Sequence, residues 1–267
     1  MENRTENGGL MITKFFMILE YLSNRNQPVR IQDISTHLDI PQATMSRYLA
    51  SMAREGYVFQ DKESQRYKLT WKICKIAAKV SSPIAAKEIV SPYVYKLSSK
   101  YNIGSAAMMI MGYDGIYIEL LDEASSYLDS VMRMSVCPPL NSTASGKILL
   151  SQFTAAEIDD FIAIKGLEKV TDDTIVDRNV FDKEIDTIRK QGYALEVNEC
   201  SVGVECIAVP VYDYNDRIYM ALCVFDKSHI TEPERMHNVF LPELVACAKE
   251  ISARLGCSTK KLMSFPL

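Results

Sequence analysis

Near the start of the chain, apolar residues recur at helical spacing. In ITKFFMILEYL, residues Ile12, Phe15, Phe16, Leu19 and Leu22 form one helical stripe, and the polar run 24–28 ending in Pro28 breaks it. A short second helix is expected over 31–38, with Ile31, Ile34 and Leu38 inward; Arg30 falls at its N-cap, where it is a poor capping residue. DIPQATMSRYLASMAREGY then opens a third helix. Pro41 suits its first turn, Met45, Leu49 and Met52 repeat at core spacing, and Gly56 fits the residue just past its end. Beyond Gly56 the period drops to two, and YVFQDKESQRYKLTW reads as two strands about a polar tip at 61–65.

Residues 71–101 return to helix. Trp71, Cys74, Ala77 and Ala78 form a stripe that suits either a core or a dimer seam; Ser81, Ser82 and Pro83 interrupt it, and a further helix runs over 84–101. From Gly104 the texture mixes strands and helices. SAAMMIMG, GIYIELLD and SYLDSVMRM read as strands, 144–152, 155–165 and 181–191 as helices. GYALEVNE, VECIAVPVYD and RIYMALCVFD read as strands, the last two joined at Tyr214 and Asn215, and a final helix covers 234–255. The fold class is therefore α+β with two domains. A winged helix-turn-helix occupies 1–70, a linker helix 71–82, and a mixed or antiparallel sheet flanked by helices 83–267. The back domain is large enough to bury a core and hold a pocket.

Charge sharpens this division. The net charge of −4 conceals a front of 80 residues with 12 Lys/Arg against 8 Asp/Glu and a back with 18 against 26. Only the front is suited to a polyanion. In its third helix the outward leading face carries Gln42, Ala43, Ser46 and Arg47, small or hydrogen-bonding groups of the kind that enter a major groove. Gln42 and Arg47 can make paired hydrogen bonds to base edges. Thr44, Ser46 and Tyr48 are candidates for phosphate or sugar, although Thr44 equally suits a cap or packing; Lys62 and Arg66 on the hairpin would hold phosphates. A small helical domain with a solvated hairpin is the competing reading, and it leaves the coincidence of these features unexplained.

Catalytic and cofactor signatures are missing. NSTASGKILL at 141–150 has a Gly-Lys pair, but a phosphate-binding loop needs Gly where Asn141 stands and Ser or Thr where Ile148 stands. G-x-S-x-G is absent, the three histidines are scattered at 37, 229 and 237, and the acidic pairs at 159–160 and 172–173 suit solvated surfaces. Seven cysteines without a C-x-x-C pair indicate free thiols, neither a disulfide framework nor a zinc site. No metal or cofactor is expected. The polar start and the lack of a long apolar run argue against a signal peptide or membrane span and place the chain in the cytoplasm.

Three segments in order, IPQATMSRYLASMAREGYV, NSTASGKILLS and GYALEVNECSVGVECIAVPVYD, resemble the IclR (isocitrate lyase regulator) family of bacterial transcription regulators over about residues 10–256. The resemblance implies a winged helix domain, a linker helix and a GAF-like effector domain. It also implies a homodimer through the front domain or a homotetramer, a palindromic double-stranded DNA operator, and a small organic or aromatic acid as effector of a repressor. By position, the effector site would comprise Met132, Ala144, Ser145, Gly146, Glu196, Cys206, Cys223 and Phe225. The chain departs from the family's usual residues at Asn141, Glu196, Cys223 and Phe225, which suggests a bulkier, more apolar pocket. Physically, Ser142 or Thr143 can cap a helix whose first turn, Ala144, Ser145 and Gly146, leaves N–H groups open to a carboxylate; Lys147 is expected to face out or pair with an acid. Glu196 would oppose an anion, and could accept a ligand hydroxyl or point to solvent. Two rivals are a GAF-like thiol enzyme using Cys206 or Cys223, and a regulator without a ligand.

Overall fold

The computed structural model describes residues 3–25, 27–75, 83–122, 139–227 and 233–265, and the chain divides into two compact units, Met1–Ser82 and Pro83–Leu267. The first unit contains α1 (Asn3–Ser23), α2 (Ile31–His37), α3 (Gln42–Arg54), β1 (Val58–Gln60) and β2 (Tyr67–Leu69). Ile18, Leu22, Ile34, Ile40, Met45, Leu49, Met52 and Val58 form its core. Between α2 and α3, Asp39 adopts a left-handed φ of 49°. The chain thereby turns sharply and inserts Ile40 into the core, where the Ser35 hydroxyl donates to the Ile40 carbonyl. β1 and β2 pair antiparallel with Val58 opposite Leu69, and Val29 bridges Tyr67 through N···O distances of 2.9 and 2.8 Å. This third rung fastens the wing to the loop before α2.

The expected inner face of α1 is rotated. Ile18, Tyr21 and Leu22 are buried, whereas Ile12 is 57% exposed and Phe16 also stands out. Apolar residues occur on several sides of α1, so spacing alone does not select the side that α2 and α3 cover. After β2, residues 72–75 are helical, with Trp71 86% exposed and Cys74 exposed. The rest of the expected stripe, Ala77 and Ala78, lies outside the described residues.

The second unit runs α4 (Pro83–Tyr101), β3 (Gly104–Met111), β4 (Asp114–Asp122), α5 (Ala144–Leu150), α6 (Ala155–Lys165), α7 (Arg178–Gln191), β5 (Ala194–Val197), β6 (Val204–Tyr212), β7 (Ile218–Lys227), α8 (Leu241–Arg254) and α9 (Thr259–Met263). Its sheet is antiparallel throughout, in the order β4-β3-β7-β6-β5. Alternation along the strands divides the core in two. Ile207, Val209, Leu222 and Val224 pack with Val90, Val94 and Leu97 of α4 and Leu244, Ala248 and Ile251 of α8. Ala106, Ala208, Ala221 and Cys223 face the other way and pack with residues of α5, α6 and α7 such as Ile148, Phe161, Phe181 and Ile185.

Several local features differ from the sequence reading. The β6–β7 connection spans 213–217, because Asp213 accepts the amides of Asn215 and Arg217 at 2.8 and 3.1 Å and Asp216 turns left-handed. The final helix is interrupted by a π turn, Met236–Phe240, just before Pro242, which has no N–H to continue an α ladder. α9, capped by Ser258, was not anticipated. The strand expected over SYLDSVMRM lies outside the described residues.

Gly146 anchors α5 against the preceding 3-10 turn, Leu140–Ser142. A Cβ there would lie 2.2 Å from the Leu140 carbonyl oxygen and 2.5 Å from its Cα, both backbone atoms. Gly146→Ala is therefore expected to destabilise the second unit by roughly 3 kcal/mol through overpacking, measured by urea unfolding; a change within error would mean the turn yields freely.

Candidate functional site

The α5 face of the sheet carries two transverse rows of residues. Glu196 of β5 lies opposite Cys206, Cys206 opposite Phe225, and Phe225 opposite Gly104. In the adjacent row stand Ala194, Ala208, Cys223, Ala106 and Leu120. Three alanines in that row keep it low. Gly104 lets Phe225 lie flat, since a Cβ at Gly104 would sit 2.1 Å from the ring. Above this floor is a cavity of about 330 Å³ lined by Tyr117, Leu120, Thr143, Ser145, Glu196, Cys200, Ser201, Val204, Cys206, Cys223 and Phe225. That volume matches a small organic molecule.

Of the residues expected there, Ser145, Glu196, Cys206, Cys223 and Phe225 converge on the cavity. Ala144 and Gly146 are buried and do not line it, and Met132 lies outside the described residues. Sequence reasoning missed Tyr117, Leu120, Thr143, Cys200, Ser201 and Val204. The β3–β4 register, with its bulge between Ala107 and Met108, is what brings Tyr117 to this face, and no local motif announces it.

Thr143 caps α5, its hydroxyl accepting from the Gly146 amide at 2.9 Å. Ser142 instead donates to the Pro139 carbonyl. The Ser145 hydroxyl is buried, lies beside the Cys223 thiol and completes no hydrogen bond of its own. Asn141 is buried too, but turned away: its amide donates to the Glu168 carbonyl at 3.0 Å and accepts from the Glu168 amide. It braces the 168–175 segment and does not line the cavity.

Glu196 does not point to solvent; it is 2% exposed. One carboxyl oxygen accepts the amides of Glu199 and Cys200 at 2.7 and 2.9 Å, so the side chain folds the 196–203 loop around itself. Asn198, left-handed at φ 59°, and its side-chain bond to the Gly203 amide complete that loop. Burial pushes the Glu196 acid up to about 7, against the pull of the two amides. It raises the Tyr117 phenol well above its ordinary value, and burial with Glu196 alongside pushes the Cys200 thiol up to about 11.

Lys147 does not face out. Its ammonium is fully buried, bonds the Glu199 carboxylate and approaches Glu184 of α7 at 3.6 Å. Burial raises Glu199 despite Lys147, and one Glu199 oxygen has no hydrogen-bond partner. Among the described residues no Lys or Arg lines the cavity itself.

On the first unit, Gln42, Ala43, Ser46 and Arg47 are exposed along one side of α3, and Lys62 is exposed at the wing tip. Tyr48 packs against the core, and Thr44 is half-buried with its amide bonded to Pro41. Arg66 is half-buried as well, donating to the Pro28 carbonyl at 3.3 Å. A groove of about 470 Å³ beside α3 is lined by Met11, Ile12, Phe15, Phe16, Arg47, Tyr48 and Ser51.

A helix-turn-helix with a wing, in one chain with an antiparallel sheet unit enclosing a small cavity, defines a two-unit DNA-binding regulator. Residues 78–253 match the model described as Bacterial transcriptional regulator IclR C-terminal, and residues 12–62 match the IclR helix-turn-helix domain. The chain belongs to the IclR family of bacterial transcriptional regulators. It is 28% identical to the HTH-type transcriptional regulator KdgR of Escherichia coli over 248 residues, 92% of each chain. It is also 28% identical to the HTH-type transcriptional repressor AllR of Klebsiella pneumoniae over 260 residues, 96% of this chain and 93% of the relative. Its fold is similar to that of an IclR homologue from Microbacterium hydrocarbonoxydans complexed with 4-hydroxybenzoate, at TM-score 0.57 and 17% identity, covering 92% of this chain and 98% of the other. The reading of Cys206 or Cys223 as nucleophile of a thiol enzyme is overturned by this family membership. Among the described residues, His37 lies against Tyr21 and His237 edge-on to Tyr193.

The Glu196 shift gives a signed expectation. Its acid is favoured neutral in the folded state, so stability is full below the unfolded value of 4.5 and falls as pH rises toward 7. Gln keeps an oxygen for both amides. Glu196→Gln should therefore gain roughly 3 kcal/mol over wild type between pH 5 and pH 8 in denaturant unfolding; equal pH slopes would mean that Glu196 stays ionised.

Proposed function

We propose that this chain is a ligand-responsive cytoplasmic repressor. Residues 1–70 bind DNA, 71–82 link, and 83–267 sense a small organic or aromatic acid. The observation that carries the sensing role is the cavity over β5–β7. It is small-molecule sized, walled by Tyr117, Leu120, Val204 and Phe225, and supplied with an unpartnered Ser145 hydroxyl and the Glu196 acid. A buried hydroxyl without a partner costs free energy that a ligand acceptor can relieve. Without a lining cation, a carboxylate would be held by hydroxyls and by N–H groups at the start of α5. A ligand hydroxyl at the other end would meet Glu196. A relative of the same fold complexed with 4-hydroxybenzoate supports a ligand of this kind.

The DNA-binding surface comprises Gln42, Ala43, Ser46 and Arg47 with Lys62, while Tyr48, Thr44 and Arg66 act mainly in packing and in anchoring the wing. A homodimer formed through the exposed apolar face of α1, with Met11, Ile12 and Phe16, would set two recognition helices about 34 Å apart or a multiple of it on a palindrome. Effector binding must favour one arrangement of the dimer, or of a tetramer built from it, because equal affinity for both states shifts nothing.

A thermal-shift screen of the full chain against hydroxybenzoates and aliphatic hydroxy acids tests the sensing role. At least one should stabilise the wild type, and Ser145→Val should lose that stabilisation; a flat response across the panel would overturn the reading. For DNA, operator titrations should show Arg47→Ala weakening specific binding by roughly 1–3 kcal/mol while sparing random sequence. Lys62→Ala should instead reduce the salt slope of log K by about 1. Equal loss on both DNAs would move Arg47 to the phosphate contacts.

A further inference from the structure

Cys200, Cys206 and Cys223 line the same cavity as Ser145 and Glu196. Cys206 and Cys223 stand on neighbouring strands and the same face. Cys206 lies opposite Phe225 and Cys223 opposite Ala208, which makes the two thiols diagonal neighbours across β6 and β7. Ser145 presents its otherwise unpartnered hydroxyl to Cys223. Both sulfurs are hidden from bulk solvent but reached through the cavity, whose apolar walls admit a small uncharged molecule.

The geometry points to Cys206 and Cys223 as a dithiol switch within the cavity, closed to a disulfide by hydrogen peroxide. The Cys223 sulfur attacks the O–O bond, which breaks. It takes up one oxygen as a sulfenic acid, and the other oxygen leaves as water with the Cys223 proton. Cys206 then attacks the Cys223 sulfur; the S–O bond breaks, the S–S bond forms, and a second water leaves with the Cys206 proton. Two thiols are oxidised to one disulfide as one hydrogen peroxide is reduced to two waters. Cys223 is assigned the attacking role because the buried Ser145 hydroxyl, which completes no other hydrogen bond, lies beside its sulfur and can donate to the thiolate. Cys247 packs in the core on the opposite face of the sheet. Closing the bond pulls the cavity floor together and removes the group Ser145 faces, so oxidation would block effector binding. This consequence rests on the cavity being the effector site.

The test uses the reduced full-length protein, treated with hydrogen peroxide, alkylated and mapped by mass spectrometry. The expected product joins the peptides carrying Cys206 and Cys223. Cys206→Ser should accumulate a dimedone-reactive sulfenic acid at Cys223, and Cys223→Ser should leave Cys206 alkylatable. A crosslink from Cys200 to either partner overturns the assignment, as does a Cys223 that stays reduced while the exposed Cys74 is oxidised. Both are read on the wild type, whatever the fate of the variants. Thermal shift with 4-hydroxybenzoate on the same samples separates the two ideas. A shift in reduced protein that oxidation abolishes and dithiothreitol restores supports the switch, and a shift unchanged by the crosslink overturns it. A crosslink in protein that answers none of the hydroxybenzoates and aliphatic hydroxy acids before or after oxidation would sink the sensing role and the proposed consequence, leaving the dithiol chemistry standing.

Discussion

A single buried ammonium organises the second unit. Lys147 follows the glycine that seats α5 on the Leu140 turn, and its neighbours Ile148 and Leu149 are core residues, so its side chain is carried into the interior with them. Burying an unpaired ammonium costs several kcal/mol, and only carboxylates held in place offset it. Glu199 and Glu184 supply them, one from the loop after β5 and the other from α7. The charge thus fastens three segments that are far apart in the chain. The 196–203 loop, further ordered by the Glu196 carboxyl on its amides, forms one rim of the cavity.

The cavity is then a matter of what the sheet leaves out. Three small residues, Ala106, Ala194 and Ala208, lie along one row, and Gly104 allows Phe225 to recline. Phe225 therefore does not fill the space, as residue volume alone would suggest. The acid at Glu196 is engaged by its own loop, which makes it part of the frame as well as of the lining. The polar capacity left open lies in hydroxyls and thiols, a chemistry unlike the cation-lined sites usually expected for acids.

The DNA-binding unit has a core of its own, with α3 packed through Met45, Leu49 and Met52. That packing leaves Gln42, Ala43, Ser46 and Arg47 outside, and the Val29 bridge and Arg66 hold the wing. The proposed DNA-binding surface would need this rigidity, since side chains aimed at base edges lose specificity if their helix can roll.

Period and punctuation in the chain determine most of the elements: α2, α3, the wing, β3, β4, α6 and β5–β7 fall near their expected places, because caps, turns and alternation are local physics. The ordered motifs likewise mark the family and hold Ser145, Glu196 and Cys206, while Cys223 and Phe225 follow only by position in the family; all five line the cavity. What the tertiary structure alone decides is which side of an all-round apolar helix is covered, as at Ile12 and Phe16, and where a long charged side chain goes. The inward course of Lys147, the turning of Asn141 toward Glu168 and the entry of Tyr117 into the cavity each depend on partners from 27 to more than 50 residues away or on strand register. Hydrogen-bond partners and low-dielectric surroundings exist only once those distant segments meet, so no local pattern encodes them.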